Sequence, residues 1–296
     1  MLYVDGVMTS KSKISRRRFL FRSSVVTLGG LGVYAFGVEP RWICVEHHAL
    51  PVKGLPSNLV GKKAVHLSDL HVGSRVSDSY LRNQFDFVRS LEPEFVFFTG
   101  DFLDDGSDWH LKKGLGFLDE FPRGSIGNAC VLGNHDFGSS RESTVKFKSN
   151  SAKLVDGFND AGLNLLRDES IDLGGLRIAG LRDLWFGGFD DLRAASAIKD
   201  VAAHPSIVLS HNPDTVDLPI WNGYQNWVLC GHTHGGQCRF PIVGAPVCPV
   251  DNKRYVAGFY DIAGGHKLYI SRGVGHTTRV RFMSRPEITV FTLAEA

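Results

Sequence analysis

The chain is organised around ten residues, Trp227-Val228-Leu229-Cys230-Gly231-His232-Thr233-His234-Gly235-Gly236. The four apolar residues predict a buried strand, and the glycines that follow predict a tight turn. Two histidines at positions i and i+2 of a strand point to opposite faces, whereas on a turn their imidazoles can converge on one point. A His-x-His pair is as common in an incidental turn as in a metal site, so its meaning depends on partners elsewhere in the chain.

Four more apolar runs have the same form, because each is too short for a helix and is followed by polar residues. They span residues 63–67, 95–99, 129–132 and 207–210. Helix-length segments separate them, and in the first of these Ser77 can cap a helix with Leu81, Phe85 and Val88 on one face. This alternation of short strands and helices predicts an α/β fold.

Three later runs add strands in a part of the chain that has fewer helical signals; they span residues 177–181, 267–270 and 288–293. We therefore expect two mixed β-sheets packed as a sandwich and flanked by helices. No linker, internal repeat or low-complexity tract divides residues 41–296. That range is predicted to be one domain.

Polar clusters follow all five of the first runs. They are Ser68-Asp69-Leu70-His71, Gly100-Asp101-Phe102-Leu103-Asp104, Gly133-Asn134-His135-Asp136, His211-Asn212-Pro213-Asp214 and the histidine turn quoted above. Any one of them could be a simple turn, because Gly, Asn and Asp are common in turns. Loops beyond the carboxyl ends of strands meet in α/β sheets, so five such clusters indicate one shared site. Carboxylate, imidazole and amide donors together suit a divalent metal such as Mn, Zn or Fe.

The order of these motifs between Lys63 and Gly236 resembles the signature of the calcineurin-like metallophosphoesterases: Asp-x-His, Gly-Asp, Gly-Asn-His-Asp, His, and Gly-His-x-His. Segments 251–258, 271–275 and 285–287 further resemble the bacterial YaeI/YkuE-type phosphodiesterase subgroup. The resemblance implies the calcineurin-like metallophosphoesterase fold. It also implies a metal-dependent hydrolase with two divalent metal ions, Mn, Zn or Fe, that activate a water for attack on phosphorus.

The resemblance implies two groups of metal ligands joined by a shared carboxylate. They are Asp69, His71 and His234 for one metal, Asn134, His211 and His232 for the other, and Asp101 as the bridge. The two histidines of the opening turn would therefore serve different metals.

Two residues beside Asn134 are predicted to be catalytic. The resemblance implies that His135 protonates the leaving oxygen, a task that suits an imidazole because its pKa lies near neutrality. Asp136 follows it and is expected to orient and charge the ring. For substrate binding, Arg272, Arg279 and Arg281 form a late basic cluster that suits an anionic phosphate, or else they are solvated charges at strand edges.

The amino-terminal residues have the layout of a targeting segment. Its basic residues are Lys11, Lys13, Arg16, Arg17, Arg18 and Arg22, and residues 23–37 carry no charge. The paired arginines before Phe19 and Leu20 resemble a twin-arginine export signal, and the uncharged run is short for a spanning helix. Residues 1–40 are predicted to be a twin-arginine-like signal or an uncleaved membrane anchor outside the fold. The metallophosphoesterase domain is predicted to span residues 41–296.

Charge and cysteine content exclude some classes of function. Beyond residue 37 the chain carries 27 Lys and Arg against 30 Asp and Glu, a net charge of about −3. Such a body lacks a broad basic surface, which argues against nucleic acid as a partner. The five cysteines include no C-x-x-C pair, so neither a disulfide framework nor a cysteine zinc site is predicted.

The subgroup resemblance implies hydrolysis of a phosphodiester or pyrophosphate bond at the bacterial inner membrane or in the cell envelope. Related chlamydial-type enzymes split UDP-2,3-diacylglucosamine in lipid A biosynthesis, which makes this lipid-linked pyrophosphate the leading candidate substrate. The alternatives are an exported cell-envelope phosphodiesterase of other specificity and a nuclease. A binding protein without activity would be expected to lack a ligand or His135, and all of these residues are present. The sequence leaves the oligomeric state open.

Overall fold

Two mixed β-sheets pack face to face at the centre of the computed structural model, which describes residues 15–138 and 145–296. In spatial order, the first sheet consists of β1 (Cys44–Val52), β11 (Glu287–Glu295), β2 (Lys63–Leu67), β3 (Phe95–Thr99) and β4 (Gly127–Val131). The second consists of β5 (Glu169–Leu173), β6 (Leu176–Gly180), β7 (Ser206–Leu209), β8 (Trp227–Cys230), β10 (Lys267–Ile270) and β9 (Gly258–Asp261). The predicted α/β sandwich is confirmed.

Most neighbouring strands in both sheets run parallel. The antiparallel pairs are β2 with β11, β5 with β6, and β9 with β10. Strands β2, β3 and β4 are parallel to one another, as are β6, β7 and β8. The carboxyl ends of each parallel set therefore lie at one edge of its sheet, where the polar clusters follow.

The core follows from the alternation of side chains along each strand. In β3, Phe95 and Phe97 point between the sheets, while Val96 and Phe98 point to the outer face. Four helices cover the outer faces: α2 (Asp78–Ser90), α3 (Asp108–Leu118), α4 (Val145–Asp160) and α5 (Asp191–Ala202). The first three pack on the first sheet and α5 packs on the second. Helix α2 begins directly after Ser77, as predicted.

The amino-terminal helix α1 (Arg16–Val33) has no buried residue. A turn of π-helix (Tyr34–Val38) and a 3-10 turn (Glu39–Arg41) continue it. Among the described residues, the segment Arg16–Arg41 is the one helix long and apolar enough to cross a membrane, a test that a signal sequence also passes. Residues 1–14 of the predicted targeting segment lie outside the described residues.

The predicted domain boundary at residue 41 does not match the packing. Glu39 is fully buried, and its carboxylate accepts hydrogen bonds from the backbone N–H groups of Met283 (2.9 Å) and Ser284 (2.5 Å). The carbonyl of Ala35 accepts the backbone N–H of Arg281 at 2.9 Å. The segment from residue 35 to residue 40 is therefore part of the folded domain, contrary to the expectation that it stays outside.

Candidate metal centre

Seven buried side chains converge where the two parallel strand sets end. They are the predicted ligands Asp69, His71, Asp101, Asn134, His211, His232 and His234. The loops after β2, β3 and β4 supply four of them, and the loops after β7 and β8 supply three. The sandwich thus brings together residues that are far apart in the sequence.

The first group consists of Asp69, His71 and His234. The Nε2 atoms of His71 and His234 lie 3.0 Å apart, and His234 Nε2 lies 3.4 Å from Asp69 Oδ1. Burial lowers the pKa of both imidazoles well below their ordinary value. Nearby cationic groups add to this effect, and the Asp101 charge opposes it only in part. Both rings are therefore neutral at physiological pH, which is the form that binds a metal.

The second group is centred on His211. Its Nε2 atom lies 3.1 Å from Asn134 Oδ1 and 3.1 Å from His232 Nδ1. The Asp101 Oδ2 atom lies 3.3 Å from His211 Nε2 and 3.7 Å from His71 Nε2. One carboxylate oxygen therefore stands between the two groups, in the position expected of a bridge.

The hydrogen bonds of His211 Nδ1 and His232 Nε2, the ring nitrogens that point away from each other, determine which tautomers are present. His211 Nδ1 lies 2.7 Å from the Thr99 carbonyl, and His232 Nε2 lies 2.6 Å from the Pro249 carbonyl. A carbonyl only accepts, so each of these nitrogens carries a proton. The two inner nitrogens, 3.1 Å apart, then present facing lone pairs. A cation or an added proton must lie between them, and the donor set suits a divalent metal.

In the metal-free centre that proton resides on His211. Burial by itself would lower the pKa of this imidazole, but the Asp101 carboxylate beside it raises the pKa to about 10. The pKa of His232 instead falls to about 3, because the ring is buried and faces His211. A bound cation would take the place of this proton.

The backbone at the ligands is strained. Asp69, His71, Asp101, His232 and His234 all have φ between 49° and 71°, a left-handed region that few non-glycine residues adopt. Each such residue costs on the order of 1–3 kcal/mol and is tolerated mainly at functional sites. The sharp turns that result redirect side chains from successive strand ends toward one point.

Glycines keep the ligand loops close together. A Cβ atom at Gly133 would overlap Asp101 Oδ1, and one at Gly231 would overlap Ser68 Oγ and Asp69 Oδ2. The glycines before the Asn134 and His232 ligands are therefore needed for the approach of neighbouring backbone.

His135 lies at the open side of the centre, in a pocket of 520 Å³ that Asp101, Asn134 and His232 also line. Its ring Nδ1 lies 2.7 Å from the backbone carbonyl of Asp104, to which it donates. Its backbone N–H donates to Asp101 Oδ1 at 2.8 Å. Burial acts to lower the pKa of His135, but the Asp101 charge and the bond to Asp104 raise it overall. The ring is thus oriented beside the ligands, and its protonated form is favoured relative to that of an ordinary histidine.

These findings agree with comparisons to known proteins. The family model for calcineurin-like phosphoesterases matches residues 62–236. The chain belongs to this family. It is a metallophosphoesterase and hence a metal-binding hydrolase.

Three bacterial relatives resemble this metallophosphoesterase over nearly the whole of both chains. An uncharacterised metallophosphoesterase, YkuE of Bacillus subtilis, is 32% identical over 95% of this chain and 98% of its own. The phosphodiesterase YaeI of Escherichia coli is 31% identical over 95% of this chain and 99% of its own. The UDP-2,3-diacylglucosamine pyrophosphatase LpxG of Chlamydia muridarum is 27% identical over 92% of this chain and 98% of its own.

In this metallophosphoesterase the His135 ring is bonded to the Asp104 carbonyl and not to Asp136, although the Asp136 charge is one of the smaller influences that raise the pKa of His135. The fully buried carboxylate of Asp136 accepts backbone N–H groups from Phe102 (3.2 Å), Leu103 (2.8 Å) and Gly133 (2.9 Å). It therefore ties the loop after β3 to the loop after β4. The orienting contact predicted for Asp136 is made by the Asp104 carbonyl, and Asp136 positions the loops that carry the site.

Two of the three predicted substrate arginines are engaged in the protein interior. Arg281 is fully buried, and its guanidinium donates to five backbone carbonyls and approaches His234 Nδ1 at 3.3 Å. Arg272 pairs with Glu46 at 2.8 Å and Glu287 at 3.0 Å. Burial of Arg281 and the ion pairs of Arg272 keep both guanidinium groups from the pocket, although Arg281 Nε has no partner of its own. The prediction for these two arginines is therefore corrected to a structural role.

The third arginine, Arg279, is exposed but borders a different pocket, beside Arg75 and His276. The structure therefore brings it to neither metal group.

Asp183 is a buried residue that the sequence reasoning missed. Its Oδ2 atom accepts the backbone N–H groups of Trp185 (2.9 Å) and Phe186 (2.7 Å). The indole of Trp185 lines the pocket and contacts the His232 ring edge-on, with 4.6 Å between ring centroids. Asp183 follows the predicted strand at residues 177–181, as the polar clusters follow theirs. This position could have identified it as a residue near the site.

Proposed function

We propose that this metallophosphoesterase uses two divalent cations to hydrolyse a phosphodiester or pyrophosphate bond in a membrane-associated lipid substrate. UDP-2,3-diacylglucosamine is the leading candidate. The observation that carries the proposal is the position of Asp101 Oδ2 between two groups of metal-binding side chains, with His135 beside it in the pocket.

The proposed ligands form two groups that share one carboxylate. Asp69, His71 and His234 would hold one cation; Asn134, His211 and His232 would hold the other; and Asp101 would bridge them. When bound, such a pair would activate water and offset negative charge on the phosphoryl oxygens.

His135 is proposed as the general acid. Its Nδ1 proton is committed to the Asp104 carbonyl, so Nε2 is the nitrogen free to protonate the leaving oxygen. The raised pKa of His135 favours the protonated ring that a general acid requires.

Three observations support a lipid-linked substrate. Beyond Arg22, helix α1 is uncharged and exposed, which suits a membrane location. The pocket includes the apolar surfaces of Trp185, Val247 and Pro249 beside the polar centre. One relative carries the name of a UDP-2,3-diacylglucosamine pyrophosphatase.

The burial of Ala35 and Glu39 favours retention of the carboxyl end of the amino-terminal segment and supports an anchor at the inner membrane.

A second candidate is an exported cell-envelope phosphodiesterase of other specificity. The paired arginines before an uncharged segment favour it, because this arrangement resembles a twin-arginine signal. A nuclease would share the metal centre, but the net charge of about −3 beyond residue 37 argues against it.

Hydrolysis by the full chain in detergent with Mn²⁺ tests these possibilities. The substrates are UDP-2,3-diacylglucosamine, bis-p-nitrophenyl phosphate and single-stranded DNA, and Asp101→Asn is the control. We expect release of UMP from the lipid by the unsubstituted protein and loss of that release in the control. Cleavage of bis-p-nitrophenyl phosphate alone would favour the envelope phosphodiesterase, and cleavage of DNA alone would contradict the lipid proposal.

A further inference from the structure

Residues 240–247 form an exposed apolar loop beside the pocket, here called the apolar loop. Relative exposures are 46% for Phe240, 107% for Ile242, 70% for Val243 and 78% for Val247. Ile242 also has a φ of 72°, which a β-branched residue adopts only with strain. Neither burial nor backbone preference explains isoleucine at this position, so the side chain is expected to serve an external contact.

The apolar loop connects two parts of the molecule. At its start, the Phe240 ring lies 5.5 Å from the Phe282 ring, which lies 6.4 Å from the ring of Tyr34. Tyr34 is the first residue after α1. At its end, Val247 lines the pocket that contains His135. The loop therefore extends from the base of the helix to the mouth of the candidate active site.

The composition of α1 indicates which environment contacts the apolar loop. Large apolar side chains are exposed all along the helix; among them are Leu20 (55%), Phe21 (70%), Val26 (74%), Leu28 (68%) and Val33 (68%). A protein partner would require an apolar stripe on one side. Beyond Arg22 the helix is instead uncharged on every side, which suits a lipid environment. Because the apolar loop lies beside the base of α1, the same lipid phase is within its reach.

Residues typical of a membrane interface lie at the end of the amino-terminal helical segment. Trp42, 51% exposed, lies just beyond the helical turns, and the guanidinium of Arg285 stacks 4.1 Å from its ring centroid. Trp and Arg side chains of this kind prefer the boundary between headgroups and acyl chains. They suit a membrane surface beside the base of α1, where residues 35–40 already pack against the domain.

We infer that the apolar loop inserts into the lipid bilayer beside α1, so that the mouth of the pocket opens at the membrane surface. This contact does not depend on which phosphoester is hydrolysed. Its consequence for the substrate rests on the proposed function: a lipid would present its phosphate to the metal centre while its acyl chains stay in the bilayer.

Quenching of tryptophan fluorescence by brominated phospholipids tests the contact. The full chain is reconstituted into phosphatidylcholine vesicles as two matched variants, Val243→Trp in the apolar loop and Val60→Trp. Val60 is 48% exposed and lies just before β2, at the sheet edge opposite the metal centre. Fluorescence is measured relative to the unsubstituted protein, because the chain has five native tryptophans.

We expect brominated lipid to quench the signal added by Val243→Trp and to leave that of Val60→Trp unchanged. Equal quenching of the two variants, or none in Val243→Trp, would overturn the inference. This readout needs no hydrolysis, so its result is independent of the proposed function.

A double variant, Ile242→Asp with Val243→Asp, connects the contact to activity. We expect its hydrolysis of soluble bis-p-nitrophenyl phosphate to equal that of the unsubstituted protein and its hydrolysis of vesicle-embedded UDP-2,3-diacylglucosamine to fall. An unchanged rate on the embedded lipid would contradict the role of the loop in substrate access. If the unsubstituted protein does not split this lipid, the substrate proposal fails, and the quenching result still decides the membrane contact.

Discussion

The Glu39 carboxylate, just beyond the amino-terminal helix, accepts a hydrogen bond of 2.5 Å from the backbone N–H of Ser284. The Ser284 hydroxyl in turn donates to the carbonyl of His234 at 3.0 Å. The base of the proposed membrane anchor is thus connected through one residue to a proposed metal ligand. Folding of the segment and assembly of the metal centre are therefore expected to depend on each other.

Replacement of Glu39 by alanine should destabilise the domain. The backbone N–H groups of Met283 and Ser284 would lose their acceptor. The Ser284 group is buried, and an unpaired buried donor costs about 1–3 kcal/mol. Thermal unfolding of the full chain in detergent measures this loss. Glu39→Gln keeps one acceptor oxygen and should show a smaller effect, whereas equal stability of all three proteins would contradict the role of Glu39.

His135→Ala should keep the metals but lose activity. His135 is beside the proposed ligands without belonging to either group of three, and general acid catalysis contributes about 10²–10⁴-fold to rate. Elemental analysis measures metal content, and hydrolysis of bis-p-nitrophenyl phosphate by the same samples measures turnover. His204→Ala, an exposed histidine after α5, is the control and should change neither. Loss of metal from His135→Ala would show that the ring is a ligand.

Arg281→Met should destabilise the protein, because Arg281 binds backbone carbonyls in the interior. Removal of a buried charge that holds several acceptors is expected to lower the free energy of unfolding by about 3–5 kcal/mol. Denaturant unfolding checks this, with the exposed Arg279→Met as the matched control. A raised KM with unchanged stability in Arg281→Met would instead restore the substrate-binding role.

Metal binding should release a proton from His211. Burial opposes protonation, but Asp101 raises the pKa of His211 to about 10, so the metal-free ring is protonated at neutral pH. A cation must displace that proton, and its apparent affinity should therefore rise about tenfold per pH unit from about pH 7 to pH 8.5. Calorimetry with Mn²⁺ in buffers of different ionisation enthalpy measures the released proton. With an ordinary pKa near 6.5, the affinity would be nearly independent of pH in this range.

Much of the fold could be predicted because its central strands are apolar runs that end in polar clusters. The runs at 63–67, 95–99, 227–230 and 267–270 match strands β2, β3, β8 and β10 to the residue. Strands β1, β5 and β9 were missed. They lie at sheet edges and bury few side chains: two in β1, one in β5 and none in β9.

The site could be predicted in composition but not in its supporting contacts. In residues 68–71 and 231–236, the residue types and their spacing predict metal ligands. The burial of Arg281 depends on carbonyls from separate loops, and the role of Asp136 depends on N–H groups of two loops. Neither contact leaves a pattern in the local sequence, since both arise only when the sandwich is assembled.

The central claim is that His232 and His234 serve different metals on either side of Asp101. A crystal structure of the Mn²⁺-loaded protein, with anomalous scattering recorded at the manganese absorption edge, tests it most directly. We expect two anomalous peaks, with His234 at one, His232 at the other, and Asp101 between them. A single peak bound by both imidazoles would contradict the account.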